Sequence, residues 1–209
     1  MNYLAPLEAL FPGSAASILE VLVSNSEPMT MRQLAERAGT SHPSVAIHIE
    51  RFEGLGLVRR QIVGRSHLVS LTESAASAAI RNLANLRMTV LEMMRTSVGG
   101  IDPKPDAVIV FGSFARGTTQ LESDIDVAVI VASNLVEDTE WLASLATWTD
   151  AVAAFAGNPV SELVITVDEL HDRVNTPLWQ GINLEGIVLT GATVDEVVRR
   201  TSAVPTVGR

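Results

Sequence analysis

Two aspartates one residue apart, Asp124 and Asp126, close the stretch VFGSFARGTTQLESDID and open the apolar run VAVIV. Side chains alternate along a strand, so carboxylates at i and i+2 share a face, roughly 7 Å apart by rise alone. Like charges held there repel, and a hard divalent cation such as Mg²⁺ between their oxygens relieves the repulsion. A strand end emerging into water accounts for an isolated Asp-x-Asp equally well. The residues upstream weigh against that. Gly112 lets the backbone approach a ligand closely, Ser113 offers a hydroxyl and an N–H, and Arg116 adds a permanent cation suited to phosphate. Anion donors facing a carboxylate cage suit a nucleoside triphosphate with its magnesium.

The elements that must position these groups follow from the flanking residues. Residues 108–111 form a short apolar run ending on Gly112-Ser113, and 123–131 form a second, with Asp124, Asp126, Ala128 and Ile130 on one side. The connection between them is short for a parallel crossover, so the two strands are expected to pair antiparallel, bringing the Gly-Ser turn beside the aspartates. A proline-broken segment, IDPKPD, precedes this half.

The N-terminal half reads differently. Residues 14–24 carry Ile18, Leu19, Leu22 and Val23 at helical spacing. EPMTMRQLAERAG predicts a short helix capped by Thr30 and stopped by Gly39. TSHPSVAIHIERFEGLGLV predicts another, with Ser41 as cap, Pro43 in the first turn and Val45, Ile49 and Phe52 buried. Two β-rich runs broken at Gly64-Arg65-Ser66 predict a hairpin. Residues 72–101 are expected to form one long helix capped at Thr72 and stopped by Gly99 and Gly100, with Ala79, Leu83, Leu86, Val90 and Met93 as a stripe. Such a stripe packs on neighbouring domains or forms a dimer seam, and a homodimer is expected.

Composition sets limits on partners and compartment. The 209 residues, 47% of them hydrophobic, supply a real core, and the absence of cysteine excludes disulfides and thiolate metal sites. No basic leader or run of 18 apolar residues occurs, so a cytoplasmic protein with no membrane partner is expected. Residues 1–100 carry 9 arginines against 8 glutamates, whereas 101–209 carry 6 basic and 16 acidic residues. Halves so unlike in charge imply two domains with different partners.

Helix, tight turn, second helix and hairpin in this order resemble the winged helix-turn-helix family along MTMRQLAERAGTSHPSVAIHIERFEGLGLVRRQIVGRSHLVSL. The resemblance implies DNA contacts from Ser41, His42, Ser44, His48 and Arg51 on the second helix, and from Arg59, Arg60, Arg65 and His67 on or beside the wing. Residues 28–72 hold 6 arginines and 3 glutamates, a modest basic excess. Weakly basic winged helices also dock proteins.

Gly112-Ser113, ten intervening residues and Asp124-x-Asp126 resemble the signature of the polymerase beta nucleotidyltransferase superfamily. The implied fold class is α+β: a winged helix (1–71), a linker helix (72–101), a nucleotidyltransferase domain with a mixed sheet (102–191) and a tail (192–209). The implied reaction moves an NMP from an NTP to an acceptor hydroxyl, with pyrophosphate leaving and two Mg²⁺ ions stabilising the attacking and leaving oxygens. The family carries a third carboxylate on a later strand. Glu162 in SELVITV is the matching position, although a solvent-facing residue there is the alternative, and Asp168, Glu169 and Asp172 suit the first turn of a following helix. By resemblance Asp124, Asp126 and Glu162 hold metal, Gly112 and Ser113 grip phosphates, and Arg116 neutralises developing charge. Minimal members act as antitoxins on a small helical toxin, so a protein acceptor is one expectation. The competing reading is a nucleotide-sensing transcription regulator without turnover, and Glu162 discriminates the two.

Overall fold

The structure, a computed structural model, describes residues 3, 5–64, 66–119 and 123–202. The chain divides into two compact units, one running as far as Leu86 and the other beginning at Arg87 and taking in Tyr3. Among the described residues no helix is long and apolar enough to cross a membrane.

In the first unit, helices α1 (Pro6–Leu10) and α2 (Ser14–Ser24) precede the short strand β1 (Met29–Thr30) and helices α3 (Met31–Arg37) and α4 (His42–Gly54). The hairpin β2 (Val58–Val63) and β3 (Ser66–Leu71) and helix α5 (Ala75–Ala84) complete it. The three strands lie in the order β1-β3-β2, all antiparallel. Thr30 and Gln33 form a reciprocal capping box on α3, and Ser41 caps α4 by accepting from the Ser44 N–H. Ile18, Leu19, Leu22, Leu34, Val45, Ile49 and Phe52 meet in one core beneath Val58 and Val69. This is the winged-helix arrangement that the residue order implied. Arg65, placed on the wing by the sequence, lies outside the described residues.

The expected single helix over 72–101 is instead two, α5 and α6 (Leu86–Ser97), with Asn85 between them at φ −102° and ψ 25°. Ser74 rather than Thr72 caps α5, accepting from the Ser77 N–H at 3.2 Å, and the Thr72 hydroxyl donates to the Gly56 carbonyl at 2.6 Å and lies 2.8 Å from Ser77 Oγ. The apolar stripe is divided accordingly. Leu83 packs on the first unit's core, while beyond the break Val90 is buried and Met94, rather than the expected Met93, is buried with it. A 3-10 turn at Val98–Gly100 ends α6.

The second unit continues with β4 (Ala107–Phe111), α7 (Gly112–Arg116), β5 (Ile125–Val131), α8 (Thr139–Ala156) and β6 (Val160–Thr166). Helices α9 (Val167–Arg173) and α10 (Pro177–Glu185), strand β7 (Ile187–Gly191) and helix α11 (Val194–Ser202) follow. The sheet is mixed, in the order β6-β5-β4-β7. Strand β4 is antiparallel to both β5 and β7, and β5 is parallel to β6. Ala107, Ile109, Ala128, Ile130 and Ile165 share one buried face with Leu170, Trp179, Ile182 and Val197 from α9, α10 and α11. Val108, Val110, Val127 and Val129 alternate to the other face and are also buried, which explains why both strands read as unbroken apolar runs.

Strand β7 closes on β4 through Gly191, where φ is +81° and a Cβ would overlap the Asp106 carbonyl. Gly191→Ala is therefore expected to cost about 2 kcal/mol or more, read as a lowered urea midpoint at unchanged m-value.

Candidate functional site

The sheet topology brings the Gly-Ser turn to the aspartates. Phe111 pairs with Asp126 across β4 and β5, so the chain leaves β4 beside the carboxylate and turns at once into α7. Gly112 adopts φ +70°, and a Cβ there would overlap Asp126 Oδ2 and come within 3.1 Å of its Cγ. Only glycine permits both the turn and this approach. Asp124 lies just before β5, and its neighbours pin it: the Asn158 side-chain amide donates to the Ser123 carbonyl at 2.8 Å, and the Ile125 N–H donates to the Pro159 carbonyl at 2.8 Å.

Burial pushes the half-buried Asp126 carboxyl above its ordinary value, and the neighbouring Asp124 charge adds to the rise, with Arg116 opposing it. Arg116 is also engaged elsewhere, donating to Glu185 Oε2 at 3.2 Å across a mouth where both side chains are about half exposed. Beside them a cleft of about 250 Å³ runs between α7 and α10, lined by Phe111, Gly112, Arg116, Leu178, Ile182 and Glu185. The turn is anchored from behind. Arg87 Nη1 donates to the carbonyls of Phe114 and Ala115 at 2.9 and 2.8 Å, and Tyr3 stands edge-on to the Phe114 ring.

Glu162 does not join this group. Parallel neighbours in register present side chains to the same face; Asp126 pairs with Ser161, and Glu162 pairs with Val127. Its carboxylate therefore leaves the sheet on the side opposite Asp126, and the position facing the aspartates holds a serine. Asp168 and Glu169 lie at the far end of β6. There Glu169 completes a capping box with Thr166, and Asp168 accepts from the Ser133 hydroxyl at 2.9 Å. Asp172 sits further along α9. Among the described residues no three His, Cys, Asp or Glu side chains are gathered as a metal site. Two carboxylates still fit a magnesium ion that takes its remaining ligands from phosphate and water, as Mg²⁺ commonly does.

On the first unit the structure separates free from occupied side chains. His42 and Arg51 are exposed on α4, together with Ile47 and Glu50. Ser41 is used as the cap, Ser44 Oγ lies 2.6 Å from Ser14 Oγ, and His48 stacks on Phe52 with its Nδ1 buried and unpartnered. Arg60 is paired with Glu53 at 2.6 Å. Arg59, its neighbour along β2, points to the opposite face of the hairpin, where it lines a cleft with Asn25, Ser70 and Arg81. His67 is exposed and lines a groove with Glu50, Glu53 and Arg60. Sequence reasoning missed Arg87 and Glu185, which lie 27 and 69 residues from the partners they hold. No local pattern marks either.

The described residues thus hold a winged helix in the first unit and, in the second, a mixed sheet carrying a Gly-Ser turn against Asp126. Residues 101–190 match the family described as polymerase beta nucleotidyltransferase, and residues 11–66 match the MarR family, in that order along the chain. Among solved structures, the PcaV transcriptional regulator from Streptomyces coelicolor with its natural ligand is 19% identical, with TM-score 0.31. That match covers 43% of this chain and 62% of the regulator, less than two thirds of its length. A toxin-antitoxin complex with AMP-PNP is 18% identical (TM-score 0.37), and a mutant of the MntA-HpeT toxin-antitoxin pair is 17% identical (TM-score 0.39). Each covers 54% of this chain and 84% of the other. No curated protein gives a significant match.

Because the folded state raises the Asp126 pKa, it takes up a proton more readily than the unfolded chain, and stability falls as pH rises through that window. Asp126→Asn is expected to melt at higher temperature than the parent at pH 7, with the gap closing as pH falls into the carboxylate range. Melting curves across pH check this. Gly112→Ala is expected to destabilise by about 1 kcal/mol or more and to abolish any rise in melting temperature on adding Mg²⁺.

Proposed function

We propose that the C-terminal unit binds a magnesium–NTP through Gly112, Ser113, Arg116, Asp124 and Asp126 and transfers its nucleotidyl group to an acceptor hydroxyl, while the winged helix contacts DNA. The observation that carries the reading is Asp126 lying against Gly112, with the Asp124 charge close enough to raise its pKa. The match of residues 101–190 to the nucleotidyltransferase family supports it independently. The bound metal would polarise the phosphate oxygens and offset the two carboxylates. The chain's own residues do the rest. Gly112 lets the backbone come up to the β- and γ-phosphates, and Ser113 offers hydroxyl and N–H donors to them. Arg116 turns from Glu185 towards charge that grows on the leaving pyrophosphate. The acceptor hydroxyl attacks the α-phosphorus, the bond to the pyrophosphate oxygen breaks, and the hydroxyl proton passes to solvent or a nearby carboxylate.

A second reading draws on Ser161. With serine rather than an acid facing the aspartates, the site holds a metal–nucleotide with one protein-bound ion, and transfer is slow. The chain is then a regulator whose DNA affinity responds to nucleotide. An antitoxin acting on a neighbouring toxin would combine both activities.

Incubation with labelled NTPs, Mg²⁺ and the products of adjacent genes separates the readings. Under the transfer reading pyrophosphate is released, Asp124→Ala with Asp126→Ala abolishes it, and Glu162→Gln leaves it within about twofold of the parent. Nucleotide binding without release supports the sensor, and neither binding nor release rejects both. For the DNA contact, Arg51→Ala is expected to weaken binding to the chain's own upstream DNA and to lower the salt slope by about 1. Arg60→Ala, which breaks an internal ion pair, is expected to act mainly on stability.

A further inference from the structure

The geometry points to Arg87 as the positioning residue of the nucleotide site, the side chain that holds the α7 turn where a phosphate can meet it. This inference rests on the magnesium–NTP reading above. Helix α7 is five residues long, too short to sustain itself, so its orientation is set by what grips it. At its N-terminal end the chain has no slack, because Gly112 is packed against Asp126. At its C-terminal end the guanidinium of Arg87 donates to the Phe114 and Ala115 carbonyls, both charge-assisted hydrogen bonds. The same guanidinium lies over Gly117, whose φ of +72° ends the turn and where a Cβ would sit 3.6 Å from Arg87 Cζ. Tyr3 fixes Phe114, and its own hydroxyl donates to the Ala156 carbonyl at 2.6 Å. Ser113 and Arg116, the groups offered to phosphate, are thus carried on a turn held by one guanidinium nitrogen from another helix.

A lysine's ammonium can also donate to two carbonyls from one nitrogen, but it lacks the guanidinium plane that lies over Gly117. Arg87 is also the first residue past Leu86, where the chain leaves the winged-helix unit.

Because the aspartates stand on and before β5 rather than on α7, losing Arg87 should separate nucleotide binding from metal binding. Each of the four magnesium–NTPs is titrated into the full-length parent, Arg87→Ala and Arg87→Lys by calorimetry, and Mn²⁺ alone is titrated by electron paramagnetic resonance. The expected result is a nucleotide affinity reduced on the order of tenfold in Arg87→Ala and partly recovered in Arg87→Lys, with Mn²⁺ binding and cooperative melting retained. Parent-like nucleotide affinity in both variants overturns the role of Arg87 while leaving the nucleotide reading intact. Loss of Mn²⁺ in step with nucleotide in both variants overturns it too, since the residue then supports the whole fold. A parent that binds Mn²⁺ and no nucleotide defeats the nucleotide reading itself, and this inference with it.

Discussion

The contact between the Asp126 carboxylate and the backbone of Gly112 is the constraint around which the second unit is organised. A half-buried carboxylate is placed against a turn with no side chain, beside a second carboxylate, and its ionisation is made harder by that placement. A fold keeps such a cost where charge is needed. The antiparallel register of Phe111 with Asp126 creates the contact, and the shortness of α7 keeps Ser113 and Arg116 within reach of it. Asn158 and Pro159 hold the chain on either side of Asp124, and Arg87 and Tyr3 hold α7. Among the described residues these contacts hold Asp124 and α7 in place, and the cleft towards α10 opens beside Arg116.

The first unit uses its polar residues differently. Several side chains that could face a nucleic acid are spent internally: Ser41 as a cap, Ser44 on Ser14, Arg60 on Glu53. What is left on α4 mixes His42 and Arg51 with Ile47 and Glu50.

Much of the architecture was legible because it rests on local physics. Helix α2 begins and ends where its apolar spacing does, Thr30 and Ser41 cap as their types predict, and Gly64 marks the hairpin. The long helix over 72–101 misled because its composition favours helix throughout. Nothing local signals the break at Asn85, which coincides with the boundary between two separately packed units. Arg87 and Glu185 were invisible for the same reason: an arginine on one helix and a glutamate on another become meaningful only when folding sets them against α7.

By itself the sequence placed Asp126 on the same strand face as Ala128 and Ile130, since alternation along a strand is a property of the backbone, whereas the strand expected from 123 begins only at Ile125 and leaves Asp124 just outside it. It also determined that glycine was needed before Ser113 and that the chain holds two domains of unlike charge. Only the tertiary structure decided which residue of the neighbouring strand meets the aspartates. Alternation puts Ser161 and Glu162 on opposite faces, but which of them shares the aspartate face depends on the hydrogen-bonded register between β5 and β6. A shift of one residue exchanges the two. That register is set by packing Leu163 and Ile165 against α9, α10 and α11, long-range contacts that no local pattern encodes.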